Sequence, residues 1–310
     1  MTQVWVLRAA SVGTVALALL TLACQWPGSP ALAVALALAV LFWHAPVVAG
    51  LLLTATIVNS QRAGPGAPAP RWSALPHAWW LESVAVWRIF FWRQPWRVNA
   101  LPDQLPANGA DPSRRGVLLV HGFFCNRAMW REWQLDLMRA GHSVVAINLQ
   151  PLFGDIDTYA ATVDAGVRQL QAATGQAPLI VGHSMGGLAT RAWLRACAAD
   201  AEGDHRAHAV VTLGTPHAGT LLAALLPRLA RPWNAGQMQA SSEWLVELGR
   251  AEPAERRARF HCWFSNGDTI VMPTLTGSLP GGHAHFVPEM GHMQLAVDAE
   301  IRAAALRAAG

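Results

Sequence analysis

The sequence predicts an α/β domain, a mostly parallel sheet with helices on both faces, preceded by a transmembrane helical hairpin. Three observations carry this. Short apolar runs alternate with longer helical patterns after Asp111, two long apolar runs flank a tight turn before residue 61, and the composition suits a chain partly out of water. Hydrophobic residues make up 53% of the 310 and charged ones only 14%, against about 25% charged in a typical soluble domain. The net charge of +4 arises in the first third: residues 1 to 110 hold six Arg and two acids, and the remainder seventeen of each. A nucleic-acid partner would need a basic stripe on the folded domain, so the balanced remainder argues against one.

From Met1 to Gln61 the single charged side chain is Arg8, and the turn Gln25-Trp26-Pro27-Gly28-Ser29-Pro30 separates the two apolar runs. The second, Ala31 to Val58, exceeds the roughly 20 residues that span a bilayer core, with His44 and Pro46 as its irregularities. The first, about Ala9 to Cys24, is just long enough; a cleaved signal peptide is its competing reading, although Thr21-Leu22-Ala23-Cys24 is a poor lipoprotein cleavage site. Arg8 precedes the pair and Arg62, Arg71, Arg88, Arg93 and Arg97 follow it. Basic flanks stay cytoplasmic, so both ends and the following domain are expected on that side.

Residues 61–112 read as a Pro-rich linker with an interfacial segment. Nine of the fifteen Trp lie before residue 97. Between Trp79 and Trp96, Trp80, Val84, Trp87 and Phe91 recur at helical spacing beside Arg88, Arg93 and Arg97. Such a helix suits a headgroup layer, where Trp meets both phases and Arg reaches phosphates; packing on the following domain is the plainer alternative.

In residues 113–310 the expected strands are Val117 to Val120, Ser143 to Leu149, Leu179 to Val181, Ala209 to Leu213 and Phe260 to Phe264. The expected helices are Arg127 to Ala140, Thr158 to Thr174 and Met185 to Ala199, with Gly141 and Gly175 as C-terminal stops. Such alternation makes a parallel sheet, whose chemistry gathers beyond the carboxyl ends of strands.

Gly182-His183-Ser184-Met185-Gly186-Gly187 occupies one such end, between Leu179-Ile180-Val181 and a helix. This strand-turn-helix setting makes it a nucleophile elbow, which lifts the Ser184 hydroxyl above the sheet while small neighbours let strand and helix approach. A serine hydroxyl needs a base, and the base an orienting acid. Both should follow Ser184 in the chain: Asp268 after the strand ending at Phe264, and His292 before the last helix. His283 and His285 compete as base, and Asp155 or Asp157 as acid, Asp157 being more simply the cap of the helix starting at Thr158. The Met185 N–H, and the Phe123 N–H in Val120-His121-Gly122-Phe123-Phe124-Cys125-Asn126, are the expected oxyanion donors. Cys125 is the rival nucleophile, without an elbow.

Four Cys without CxxC spacing read as free thiols, and His205/His208 and His283/His285 lack the flanking ligands of a zinc site. Neither metal nor cofactor is expected.

Together these residues resemble the α/β-hydrolase superfamily, in particular bacterial lipase-like serine esterases, over about Gly116 to Ala309. The resemblance rests on the elbow, His121-Gly122-Phe123, Leu213-Gly214-Thr215-Pro216-His217-Ala218-Gly219-Thr220, Gly267-Asp268-Thr269-Ile270-Val271 and Gly291-His292. It implies an α/β-hydrolase fold, a Ser184, Asp268 and His292 triad with Phe123 and Met185 as amide donors, and a structural role for His217. It also implies an acyl ester or lipid substrate; the two-helix anchor departs from secreted lipases, so a bacterial inner-membrane location is expected in place of an extracellular one. Residues 220–259, with apolar Leu221 to Leu229, are a possible lid or fixed cap. The function expected is a membrane-anchored serine hydrolase of carboxylic esters acting through an acyl-enzyme. A thioesterase, amidase or acyltransferase with the same triad, or a non-enzymatic membrane adaptor, are the alternatives; one hairpin is too little to enclose a permeation path.

Overall fold

The structure, a computed structural model, describes residues 2–199, 203–225 and 233–309. Its centre is a six-stranded sheet of β1 (Val117–Val120), β2 (Val144–Ile147), β3 (Leu179–His183), β4 (Ala209–Leu213), β5 (Phe260–Ser265) and β6 (His283–Val287). The order is β2-β1-β3-β4-β5-β6 and every neighbouring pair is parallel. β1, β3 and β4 are buried at every position, because helices cover both faces of a parallel sheet; hence their unbroken apolar runs. Strand side chains alternate: Leu118 and Val120 join one core layer, Val117 and Leu119 the other.

The first layer takes Val163, Val167 and Leu170 of α7 (Ala160–Thr174) and Leu188 and Trp193 of α8 (Met185–Ala196). The second takes Trp133 and Leu137 of α6 (Arg131–Arg139) and Ile301 and Ala305 of α14 (Ala299–Ala309). α13 (His292–Val297) precedes α14. The glycine stops hold: Gly141 and Gly175 follow α6 and α7 with φ of +81° and +66°, a conformation glycine adopts without a Cβ clash.

Local departures have local causes. Residues 127–130, expected as α-helix, form a 3₁₀ turn started by the Asn126 side chain, which accepts the Ala128 N–H. Asp155, not Asp157, caps the helix at Thr158: its carboxylate accepts the Asp157 N–H at 2.9 Å, while Asp157 pairs with Arg195. His283 and His285, outside every expected strand, lie on β6. As an edge strand β6 is only partly covered, so it lacks the apolar run that marks the others. There His285 stacks on Trp263 at 4.5 Å and meets His261 Nδ1 at 3.2 Å.

The N-terminal third differs most from expectation. α1 (Thr2–Gln25) is continuous, and Gln3–Gln25 is long and apolar enough to cross a membrane. The run expected as one straight span from Ala31 to Val58 is instead α2 (Pro30–Leu41) and α3 (His44–Gln61), bent by 57°. Pro46 accounts for the break: it cannot donate to the Phe42 carbonyl, and its ring would strike it. The Ala45 N–H takes that carbonyl at 2.9 Å. α3 then leans on the sheet domain and buries Val48, Leu52, Ala55, Thr56 and Asn59.

The segment expected as one helix between Trp79 and Trp96 is α4 (Leu75–Val86), a π-helical stretch Trp87–Arg93, and the single turn α5 (Gln94–Trp96). Pro95 again lacks the donor a continuous α-helix would need. Residues 220–259 form α9 (Leu221–Leu225), α10 (Trp233–Gln237), α11 (Glu243–Arg250) and α12 (Ala254–Arg257). Residues 226–229 of the expected apolar run fall outside the described residues. α11 buries Leu245 and Leu248 in the same layer as α8.

Candidate active site

Ser184 joins the end of β3 to the start of α8 at φ 55°, ψ −127°. Such a backbone costs roughly 1–3 kcal/mol and persists only where its surroundings over-determine it. Here they do. The Ser184 N–H donates to the Leu213 carbonyl at 2.9 Å, and its own carbonyl accepts from the Gly187 N–H and the Thr215 hydroxyl. A Cβ on Gly186 would sit 2.2 Å from the Val120 carbonyl oxygen, and one on Gly182 would lie 2.7 Å from the Gly187 nitrogen. The small residues flanking the serine are therefore a packing necessity.

Asp268 lies in the loop beyond β5 and His292 opens α13 beyond β6, and both are buried. Asp268 Oδ1 accepts the Ile270 and Val271 N–H groups at 2.8 Å each, which leaves Oδ2 for the His292 Nδ1–H at 2.9 Å. Only glycine fits at 214, where a Cβ would meet both partners. Burial opposes the His292 cation, but the charge and hydrogen bond of Asp268, then the charge of Glu82, outweigh it and raise the imidazole above its ordinary 6.5. With Nδ1 committed, Nε2 keeps the lone pair.

Ser184 and His292 line one apolar cavity of about 420 Å³ together with Phe123, Phe124, Ile270 and Met293. The expected oxyanion loop borders it. Phe123 follows Gly122, where a Cβ would be 2.7 Å from that of Ser184. Met185, as first residue of α8, has no helical carbonyl one turn below it for its N–H. His121 holds this loop: it donates from Nδ1 to the Gly122 carbonyl at 2.9 Å and accepts the Leu149 N–H on Nε2 at 3.0 Å. Burial depresses it to about 4, so it stays neutral.

The competing residues do not meet at this place. His283 and His285 are on the sheet edge, and Asp155 and Asp157 are engaged at a helix start. His217 hydrogen-bonds Thr212 at 2.9 Å within the core. Cys125 borders the cavity, but burial pushes its thiol up to about 12, so no thiolate forms near neutrality. All four cysteines are free.

Sequence reasoning missed the braces, which come from the N-terminal third. Glu82 of α4 is fully buried, and its carboxylate accepts the Met293 and Gln294 N–H groups at 2.9 Å each, capping the helix that begins at His292. A Cβ on Gly291 would collide with it. Burial raises the Glu82 carboxyl, and those two amides offset part of the effect. Gln94 Oε1 accepts the Asn126 N–H at 2.6 Å, and Gln3 of α1 reaches both Gln94 and the Phe124 carbonyl. Asn59 of α3 donates to the Asn266 carbonyl at 2.8 Å and accepts the Thr274 N–H at 3.0 Å, bracketing the Asp268 loop. The available signal was Glu82 itself, the sole acid before residue 103.

The cavity wall facing Ser184 is also N-terminal: Trp43, His44, Val47, Val48 and Leu51 line it. Among the described residues of 220–259, none does.

Removing the Glu82 carboxylate leaves two buried N–H groups unpaired and lets His292 drift; an offset of about 1 Å costs roughly 10²-fold in rate. Glu82→Ala should lower kcat of a reaction that uses His292 by about that factor with KM little changed, and Glu82→Gln, which keeps one acceptor, should lose less; steady-state kinetics on the substrate proposed below check this. An imidazole must be neutral to take a proton, and the Asp268 carboxylate extends the His292 cation to pH values above 6.5. The acid limb of kcat/KM should therefore fall away at a pH above 6.5, read from a pH–rate profile.

No curated protein matches the chain in sequence. Among solved structures, the mature lipase BlEst2 of Bacillus licheniformis superposes with a TM-score of 0.51 at 18% identity, over 60% of this chain and 88% of that one. Lipase B of Aspergillus fumigatus gives 0.53 at 16% identity, over 66% and 55%. The chain spans half the length of the BlEst2 propeptide form. At these identities the likeness is one of fold. The sequence model of the alpha/beta hydrolase family matches residues 117–305, well over half of the chain and all six strands. On that match, the chain belongs to the alpha/beta hydrolase family.

Proposed function

We propose that this protein is a membrane-embedded serine hydrolase that cleaves carboxylic esters carrying an acyl chain. The observation that carries the reading is a strained serine and a carboxylate-paired histidine lining one apolar cavity, whose outer wall is the second apolar segment of the hairpin. Ser184 attacks the ester carbonyl as His292 Nε2 takes its proton, while Asp268 holds the imidazole and stabilises its cation. The Phe123 and Met185 amides receive the oxyanion. His292 returns the proton to the leaving alcohol, then activates a water that releases the acid from Ser184. No cofactor takes part.

Membrane residence is supported by surface that water would not leave bare. Val12, Val15, Leu19 and Leu20 of α1 and Leu36 and Leu38 of α2 are exposed, which puts large apolar side chains in the open on more than one side of each helix. The N-terminal end of α1 touches the hydrolase domain through Gln3, with the helix turn at its opposite end. Domain and Arg8 therefore share a side, which the distribution of Arg makes cytoplasmic. The units are then the hairpin at 1–60, an interfacial stretch at 61–112 and the hydrolase domain at 113–310. Because α3 walls the cavity, an acyl chain reaches Ser184 along the hairpin, and the helices of 220–259 serve as packing.

Ser184→Ala should lower turnover of a p-nitrophenyl acyl ester by roughly 10⁴ to 10⁶ with the fold intact, and should abolish labelling by a fluorophosphonate probe. Unchanged turnover ends the assignment, and a preference for thioesters or amides over matched oxyesters would reassign the reaction. Val47→Trp, at an exposed position of the wall, should cut hydrolysis of long-chain esters about tenfold relative to the acetyl ester. An unaltered chain-length profile would remove α3 from the substrate path.

A further inference from the structure

Two cavities that this chemistry does not use meet at Trp92. One, of about 600 Å³, is an apolar groove between α1 and the π-helical stretch, lined by Val12, Val15, Leu19 and Phe91 and closed at one side by Trp92. The other, of about 380 Å³, is ringed by Arg88, Arg93, Arg97 and Arg131, with Trp92 again in its wall. Among the described residues, two of its four guanidinium groups share one carboxylate. Glu132 pairs with Arg93, whose side chain is 4% exposed, and accepts from Arg88 at 3.3 Å. Arg97 lies over the Trp92 ring at 5.3 Å, and among the described residues neither it nor Arg131 has an acidic partner. Burial disfavours the Arg93 cation, Glu132 opposes this, and the charges of Arg88 and Arg131 add to the strain. The pocket thus carries a local surplus of three positive charges beside a groove that holds hydrocarbon.

We infer that these two cavities form one binding site for an anionic membrane phospholipid, separate from the cavity at Ser184. The phosphate sits among Arg88, Arg97 and Arg131, with Arg93 held behind them by Glu132, and an acyl chain lies in the groove along α1. Trp92 forms the boundary, its ring shared by hydrocarbon and guanidinium. A soluble anion would leave the groove empty, and a zwitterionic headgroup would bring a second cation into a pocket already in excess. Basic pockets beside membrane helices recognise acidic headgroups by this logic. The site rests on the membrane reading above, but not on the hydrolase reaction.

The test uses the full chain in a non-ionic maltoside detergent, with lipid retention read by native mass spectrometry. Phosphatidylglycerol should be retained in preference to phosphatidylcholine of the same chains, and glycerol phosphate alone should neither be retained nor compete. Arg97→Gln with Arg131→Gln, both at exposed positions, should weaken phosphatidylglycerol roughly fivefold per guanidinium removed and leave phosphatidylcholine unchanged. Ala16→Trp, which fills the groove, should weaken it with every Arg intact. Equal retention of the two lipids, an Arg variant matching the parent, or glycerol phosphate binding as well as the lipid each overturns the site. Hydrolysis of a soluble acetyl ester, unchanged in these variants, keeps the reaction separate. A chain that stays monodisperse without detergent overturns this site and the membrane reading together.

Discussion

A polar side chain withdrawn from water must find a partner or carry a penalty of a few kcal/mol. For four such side chains in the N-terminal third of this protein, the partners lie in two loops and one helix start of the sheet domain. Gln3 and Gln94 satisfy the loop after β1, Asn59 brackets the one bearing Asp268, and Glu82 caps the helix that starts with His292. Each is nearly or fully buried. The apolar segment is thereby fastened at definite points to the residues proposed to act, instead of trailing from them.

This arrangement changes what the hairpin is for. A tether would leave the hydrolase domain self-sufficient, with its cavity open to water or covered by its own helices. Here α3 supplies a wall of the cavity and α4 an internal support for the histidine. Bending at Phe42-Trp43 makes both possible, since a straight second arm would carry residues 44–61 away from the domain. The same bend leaves α1 and α2 with their apolar faces unburied, which is the physical case for a surrounding lipid phase.

Within the hydrolase domain the forces are ordinary and mutually consistent. A parallel sheet covered on both sides demands continuous apolar strands, and a tight elbow demands glycine at 182 and 186. A strained serine demands hydrogen bonds at its own N–H and carbonyl. Sequence and structure therefore agree closely there: β1 and β4 have the expected bounds, both glycine stops are left-handed, and Asp268 and His292 are paired. β6 is the strand that local pattern does not mark, because an edge strand needs little apolar content.

Four features are legible before the chain folds: the fold class, the glycine-flanked turn at Ser184, the chain order of the residues proposed as triad, and a membrane-compatible N-terminus. Each of these is written in local pattern: strand period, turn glycines, chain order, apolar length. Packing alone settles that α3 walls the cavity, that Glu82 supports His292, and that four arginines line one pocket beside a groove. Those depend on where a helix bends and which distant side chains then meet. Local pattern carries no record of such encounters, because they are settled by packing between segments up to some two hundred residues apart.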